Sequence, residues 1–322
     1  MQLNRRQALA TGLAVAGAGW LPGAQAQGTY PSGVIKFIIP TAVGGGYDIM
    51  MRVIGQKLTE AWGQPCIVEA RTGASGSLAA QAVAKAAPDG QTLMVGYSAL
   101  VSNQLLQKAP GYKLADFVPV SMLTISPIAL GVRESLGVKS LKELIALAKS
   151  KPGRLSYGSY GPGSGGHFVG EQLKVAAGVH ITHLPYRGEA PAIQDLLSEQ
   201  IDMAIVTVGG VTRYPGKIRP LAVCSPSRFP LYPDIPTFAQ SGYPAVDMAG
   251  WGGLFAPAGT PPAVVAKIAA EVNRIIKLPD VSAKILELGF EPVGWAPDRV
   301  NKFMSEQLAS TKKLVDAGRI QL

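Results

Sequence analysis

The sequence predicts an α/β fold of two domains joined by two crossover strands. Two stretches repeat the order strand, Gly-rich turn, helix, one over 34–58 and one over 154–178. A long extended pass, "FVPVSMLTISPIALGV" at 117–132, precedes the second of them, and another, "AGWGGLFAP" at 249–257, precedes the C-terminal helices. With 322 residues, 47% hydrophobic and 16% charged, the chain can build one large or two medium cores. On this reading domain one takes residues 28–124 and 252–322, and domain two takes 125–251.

Residues 34–39, "VIKFII", are short, continuous and β-branched, as a buried strand is. Pro40 to Tyr47 form the turn. Asp48 caps or opens a helix whose residues Met50, Val53, Ile54, Leu58 and Ala61 share one apolar face. "PCIVEA" is the next strand, "RTGASGS" a second Gly/Ser turn, Leu78 to Ala87 an Ala-rich helix, and "QTLMVGYS" the third strand after a "PDG" turn. Such alternation predicts βαβ units and a parallel sheet. The stretch between the third strand and residue 117 reads as irregular. Past the first extended pass, Ser140 and Glu143 make a capping box for a helix over 141–150. "RLSYGSY" is a strand, "GPGSGG" a third Gly turn, and "HFVGEQLKVAAG" a helix stopped by Gly178. "ITHLPY", "IDMAIV" and "IRPLAVCS" are strands, "APAIQDLLSE" a helix, and "DIPTFAQSGY" a short capped helix ended by Gly242. Thr260 caps a further helix that Pro261 enters at its first position; helices over 281–288 and 298–316 complete the chain.

"MQLNRRQALATGLAVAGAGWLPGAQAQG" has the charged, apolar and small-residue regions of an export signal, cleaved after Ala26. Arg5-Arg6 with Asn4 and Leu9 suggests the twin-arginine route, while Ala8 in place of the usual phenylalanine leaves Sec export open. A transmembrane anchor is disfavoured because glycines and Pro22 interrupt a short apolar run. The mature protein is therefore expected to be periplasmic. Cleavage removes two arginines and no acids, so the formal charge of +9 becomes +7. The basic residues are scattered, with no run interleaved by aromatics, which argues against nucleic acid as a partner. A mild positive field suits an anionic small ligand, and it suits solubility equally. Two distant cysteines, Cys66 and Cys224, give no disulfide framework.

No G-x-S-x-G elbow is present, and only three histidines, His167, His180 and His183, occur. No catalytic residue, cofactor or metal is expected. One motif competes: Gly161, Gly163 and Gly166 fit G-x-G-x-x-G, with Glu189 23 residues after Gly166, near where a ribose-binding acid would fall. An exported NAD(P)-dependent oxidoreductase is the alternative on that ground. Against it, the motif sits mid-chain and Glu189 lies beyond the expected strand. A different role unites the turns. A Gly-rich turn opening a helix presents free N–H groups and the positive end of the helix dipole, a seat for a carboxylate. Turns 43–47 and 161–166, one per domain, are expected to face each other across a cleft.

The motifs "GGGYDIMMR" (44–52), "RTGASGS" (71–77), "AAPDGQTL" (86–93), "HLPYRGEAPAIQDLL" (183–197), "LAVCSPSRFPLYPDIPTFAQSGYP" (221–244) and "WGGLFAPAGTP" (251–261) resemble, in this order, the periplasmic solute receptors of tripartite tricarboxylate transporters, the Bug family. The resemblance covers nearly the whole mature chain. It implies a type II periplasmic-binding-protein (Venus flytrap) fold, no enzyme activity, and a small organic anion between the domains. That anion is a mono-, di- or tricarboxylate, aromatic acids and amino acids included, passed by a monomeric receptor to membrane permease subunits. Delivery to a membrane signalling partner is the other use of the same fold. Where relatives read proline, aromatic, small residue, proline, this chain has Pro40, Thr41, Ala42 and Val43, which alters the pocket wall.

The expected ligand site draws on both turns. The backbone of Val43, Gly44, Gly45, Gly46 and Tyr47, and of Gly163, Ser164 and Gly165, holds the carboxylate ends. Thr41 and Ser164 donate hydroxyls, Asp48 orients a bridging water or caps its helix, and Ser98 lines the floor. Tyr186 or His167 closes the other side. Arg71 pairs with the ligand or forms a solvated ion pair.

Overall fold

The computed structural model describes residues 30–248 and 250–316; the expected export signal lies outside them. The described elements run β1 (Ile35–Ile39), α1 (Gly46–Trp62), β2 (Cys66–Ala70), α2 (Ser77–Ala84), β3 (Thr92–Gly96), α3 (Ser98–Leu106), β4 (Phe117–Ser126) and β5 (Ile128–Arg133). Then come α4 (Leu141–Ser150), β6 (Ser156–Ser159), α5 (Gly165–Ala177), β7 (Thr182–Pro185), α6 (Glu189–Leu197), β8 (Met203–Thr207), α7 (Val208–Thr212) and β9 (Ile218–Cys224). The chain closes with β10 (Gly250–Pro257), α8 (Pro262–Ile275), α9 (Pro279–Glu287), β11 (Glu291–Trp295) and α10 (Pro297–Asp316).

The strands form two sheets, ordered β11-β4-β10-β3-β1-β2 and β7-β6-β8-β5-β9. β1 pairs in parallel with β2 and β3, and β6 with β7 and β8, as the strand–helix alternation predicts. The extended passes change the outcome from parallel to mixed. β10 lies antiparallel to β3 and β4, and β5 antiparallel to β8 and β9. Pro127 alone separates β4 from β5, so the chain leaves one sheet and joins the other within a residue. The long pass 117–132 is thus two strands, broken where a proline lacks the N–H a ladder needs.

Each sheet has its own core. In the first, Ile35, Phe37 and Ile39 meet Met50, Ile54 and Leu58 of α1, while Ile38 faces Ala79, Val83 and Met94 on the opposite side. The second gathers Ile128, Leu130, Val132, Leu144, Val169, Leu173 and Ile205. Cys66 and Cys224 are free thiols on β2 and β9, and burial pushes the Cys224 thiol up to about 12.

Several local expectations need correction. Ser140 does accept the Glu143 N–H at 3.2 Å, but the Glu143 carboxylate reaches back to Lys139 N, 2.8 Å, not to Ser140. Thr260 does not cap α8: its hydroxyl donates to Pro257 O, and Pro261 holds the cap position. "DIPTFAQSGY" makes turns rather than a helix, closed by Ser241 N to Thr237 O and Tyr243 N to Phe238 O, because Thr237 bridges to Val223 at the edge of β9. α3, α7 and β11 fall in segments without a strong periodicity, and only the fold reveals them.

Candidate functional site

A small cavity of about 20 Å³, room for about one water molecule, lies between the sheets. Thr41, Gly45, Gly46, Tyr47, Ser126 and Phe290 line it from the first lobe, and Tyr160, Glu189 and Thr207 from the second. Two open grooves flank it. One, the inner groove, about 250 Å³, shares Tyr160 and passes Ser75, Tyr97, Gly161, Tyr186 and Arg187. The other, the outer groove, about 420 Å³, shares Gly45 and Glu189 and passes Val43, Gly44, Arg213 and Tyr214. The three are one cleft, pinched where the lobes touch. Ser102 Oγ donates to Gly163 O across it at 2.7 Å, and a Cβ on Gly209 would fall 2.0 Å from Leu288 O. The lobes are closed on each other.

α1 points its N-terminus at the cavity. Gly45 is its N-cap, in extended backbone and without a side-chain cap, so the N–H groups of Gly46, Tyr47 and Asp48 have no intrahelical acceptor. These groups and the helix dipole favour an anion there. Gly46 must be glycine, since a Cβ would lie 2.6 Å from Phe290 Cζ. Beside it, Thr41 and Ser126 are only 6% and 2% exposed, and neither hydroxyl has a partner at hydrogen-bond geometry among the described residues, although Ser126 lies near enough to the Tyr47 hydroxyl to oppose the burial that raises its pKa. An unpaired buried hydroxyl costs roughly 1–3 kcal/mol, so two of them lining one cavity mark a place built for something polar.

The second lobe contributes a carboxylate. Glu189 opens α6, and its Oε2 accepts from Thr207 N at 3.0 Å and from Thr207 Oγ1 at 2.6 Å. Burial raises its pKa above the ordinary carboxylate range, against the Thr207 hydrogen bonds and Arg213, which pull it down. The residue as a whole keeps some exposure and also lines the outer groove, while its carboxyl is desolvated by burial. Tyr47 stacks on Phe290 with centroids 5.1 Å apart and donates its hydroxyl to Trp251 O at 2.6 Å, while Tyr97 lies against Tyr160 at 5.9 Å. Burial raises the pKa of Tyr47, Tyr97 and Tyr160, so these walls carry no charge.

Of the expected residues, Thr41, Gly45, Gly46 and Tyr47 meet at the cavity, and Val43 and Gly44 line the adjoining groove. Asp48 turns away: its carboxylate accepts Gly44 N at 3.0 Å and pairs with Arg52 at 2.9 Å, which rigidifies the turn. Ser98 is buried at the start of α3 and is not among the residues lining these cavities. The second Gly turn differs most from expectation. Gly163 N donates to His167 Nδ1 at 3.1 Å, and Ser164 Oγ caps α5 by accepting His167 N at 3.3 Å. Gly165 packs on Ile128 and Tyr160. His167 stacks on His183 with centroids 4.3 Å apart, inside the lobe. Tyr186 lines the inner groove, with its hydroxyl donated to Asp195 at 2.7 Å. Arg71 makes an exposed pair with Glu69. Ser126, Tyr160, Glu189, Thr207 and Phe290 were not expected; Glu189 alone gave a signal, an acid next to a Gly turn at a helix start.

The dinucleotide reading of Gly161, Gly163 and Gly166 does not survive this geometry. Gly163 lies under Ser102 and Leu106, its N–H is spent on His167, and Gly166 serves helix–strand contact with Ile205. The N–H groups of Gly161, Gly163, Ser164 and His167 are already bonded within the lobe, to Ser159 Oγ, His167 Nδ1, Gly161 O and Ser164 Oγ.

Comparison with known proteins agrees with the two-lobe α/β fold. A family described as the tripartite tricarboxylate transporter family receptor matches residues 50–320. BugT of Bordetella pertussis is 33% identical over 285 residues, 87% of each chain. The solved structure of R. palustris Rpa4515 with adipate is similar with a TM-score of 0.87 and 33% identity, covering 91% of this chain and 99% of that one. MatC from Rhodopseudomonas palustris with bound malate gives 0.83 and 32%, over 89% and 100%.

Proposed function

The chain belongs to the family of tripartite tricarboxylate transporter receptors, and we propose that it captures a small carboxylate-bearing organic anion between its two lobes. The family is one of receptors and not of enzymes. In this proposal the chain is exported, cleaved after Ala26, and hands its ligand to membrane permease subunits of such a transporter. Among the described residues no helix is long and apolar enough to cross a membrane, which fits a receptor that relies on separate membrane subunits.

The observation that carries the reading is the uncapped N-terminus of α1 beside the unpartnered Thr41 and Ser126 hydroxyls, all lining one inter-lobe cavity. Adipate and malate in the two relatives make the carboxylate class the natural first choice. Binding proceeds from an opened cleft: a carboxylate takes the Gly46, Tyr47 and Asp48 N–H groups, the hydroxyls donate to it, and the lobes shut. A screen of melting temperature against carboxylates and amino acids, with NAD(P) as control, tests this. A ligand at a hundredfold over its Kd adds roughly 2.7 kcal/mol of stability. We expect that gain with one acid class, and its loss in a Thr41→Val, Ser126→Ala double variant. A shift with NAD(P) alone, or one that the double variant keeps, overturns the proposal. Uptake of the labelled acid by cells lacking the gene, compared with the parent, tests delivery.

A further inference from the structure

We infer that Glu189 makes this receptor select a zwitterionic ligand, with one carboxylate and one ammonium group, over a dicarboxylate of the same length. The inference rests on the receptor reading and specifies its ligand class.

The cavity has two unlike ends. On the first lobe are the free N–H groups of α1 with the Thr41 and Ser126 hydroxyls, which accept an anion. Facing them from the second lobe is Glu189, and among the described residues it is the one charged side chain lining the cavity. Both groups that hold Glu189, the Thr207 N–H and hydroxyl, are neutral and bond to Oε2. Among the described residues Oε1 accepts no hydrogen bond, and Glu189 forms no ion pair with any cation. Arg213 acts on it from an exposed position in the outer groove. The other charged groups near the turn, Asp48 and Arg52, are paired with each other.

A buried carboxylate without a counter-charge is costly and is relieved by a cation or by protonation. An ammonium at the Glu189 carboxylate supplies the missing charge, while the ligand carboxylate takes the free N–H groups of α1. A dicarboxylate taken up by the opened cleft would set a second negative charge against Glu189 in a mostly aromatic space as the lobes shut on it, and like charges brought together there oppose binding strongly. The remaining walls, Tyr47, Tyr160 and Phe290, offer no cation to compensate.

Calorimetric titration with two length-matched pairs tests the inference: β-alanine against succinate, and γ-aminobutyrate against glutarate. The intact chain should bind one amino acid more tightly than its paired diacid by about tenfold or more. Glu189→Gln keeps the side-chain size, lets its amide N–H donate to a second carboxylate, and should abolish or reverse the ratio. A diacid bound as tightly as its amino partner by the unaltered chain overturns the inference and leaves the receptor proposal intact. So does a ratio that Glu189→Gln does not change. If neither class binds either protein, the inference falls, and the melting-temperature screen decides the receptor proposal separately. The ratio in the unaltered chain decides the matter even should Glu189→Gln fail to fold.

Discussion

The two Gly-rich turns, 43–47 and 161–166, read alike in sequence, yet the fold uses them in opposite ways. Each follows a strand and opens a helix, and each has its N-cap in extended backbone, Gly45 in one and Ser164 in the other. In the first turn the cap has no side chain, and the N–H groups stay free at a cavity. In the second the His167 ring takes the Gly163 N–H, the serine cap takes the His167 N–H, and Gly161 O takes the Ser164 N–H. A helix N-terminus is an anion site only when its own residues leave it unsatisfied. That depends on the cap residue, which the sequence displays, and on distant side chains, which it does not.

The contrast can be broken first at glycine. A Cβ on Gly166 would lie 2.0 Å from Ile205 O, a backbone atom of β8 that cannot move aside cheaply. We expect Gly166→Ala to lose about 3 kcal/mol, the upper end for overpacking. Gly45→Ala, whose Cβ meets Ala42 O at 3.3 Å, should lose only about 0.5 kcal/mol, the difference between glycine and alanine as N-caps. Urea unfolding of both variants measures the gap; equal losses would remove the distinction.

Acid should weaken the second turn and spare the first. His167 can accept the Gly163 N–H at Nδ1 only while that nitrogen is unprotonated. Burial lowers its pKa, and burial with the neighbouring His167 lowers that of His183 to about 3. The unfolded chain therefore binds protons that the folded chain refuses. This stability is complete above about pH 6.5 and is lost as pH falls toward 3, by at most about 1.4 kcal/mol per unit for each proton. His183 is partly exposed, so its share is smaller. Melting temperatures from pH 7 to 4.5 should fall, and His183→Asn should flatten the slope between 6.5 and 4.5. An unchanged slope in that variant would contradict the assignment.

Ser164→Ala removes the α5 cap and should cost about 1 kcal/mol while leaving ligand affinity unaltered, since Ser164 is fully buried away from the cavity. A lost affinity would return the second turn to the ligand site. The smallest effect is expected at Thr41, whose hydroxyl bonds to nothing among the described residues. Thr41→Val should raise the stability of the ligand-free chain by about 0.5 kcal/mol and weaken binding about tenfold, both read from melting curves with and without ligand.

Periodicity and punctuation made the fold legible. "VIKFII" with its Gly turn and the capped helix 141–150 fall where their patterns place them, because a buried strand and an amphipathic helix each impose a spacing on the chain itself. α3 and β11 were not legible: Ser98–Leu106 has a weak apolar stripe, and Glu291–Trp295 is a partly exposed edge strand. The site was half legible. Thr41 and Gly45 to Tyr47 follow from a turn before a helix. Ser126, Phe290 and Thr207 come from ends of elements with no motif, 79 or more residues from the turn.

By itself the sequence determined most of the strands, turns and helices, that there are two α/β units, and to which receptor family the chain belongs. These rest on local spacing and on motif order, both properties of a linear chain. Only the tertiary structure decided which helix N-terminus stays open, which hydroxyls go unpaired, and that Glu189 faces them across the cleft. Each of those is a matter of what a group fails to find within about 3 Å, and a neighbour's absence is set by the packing of both lobes together.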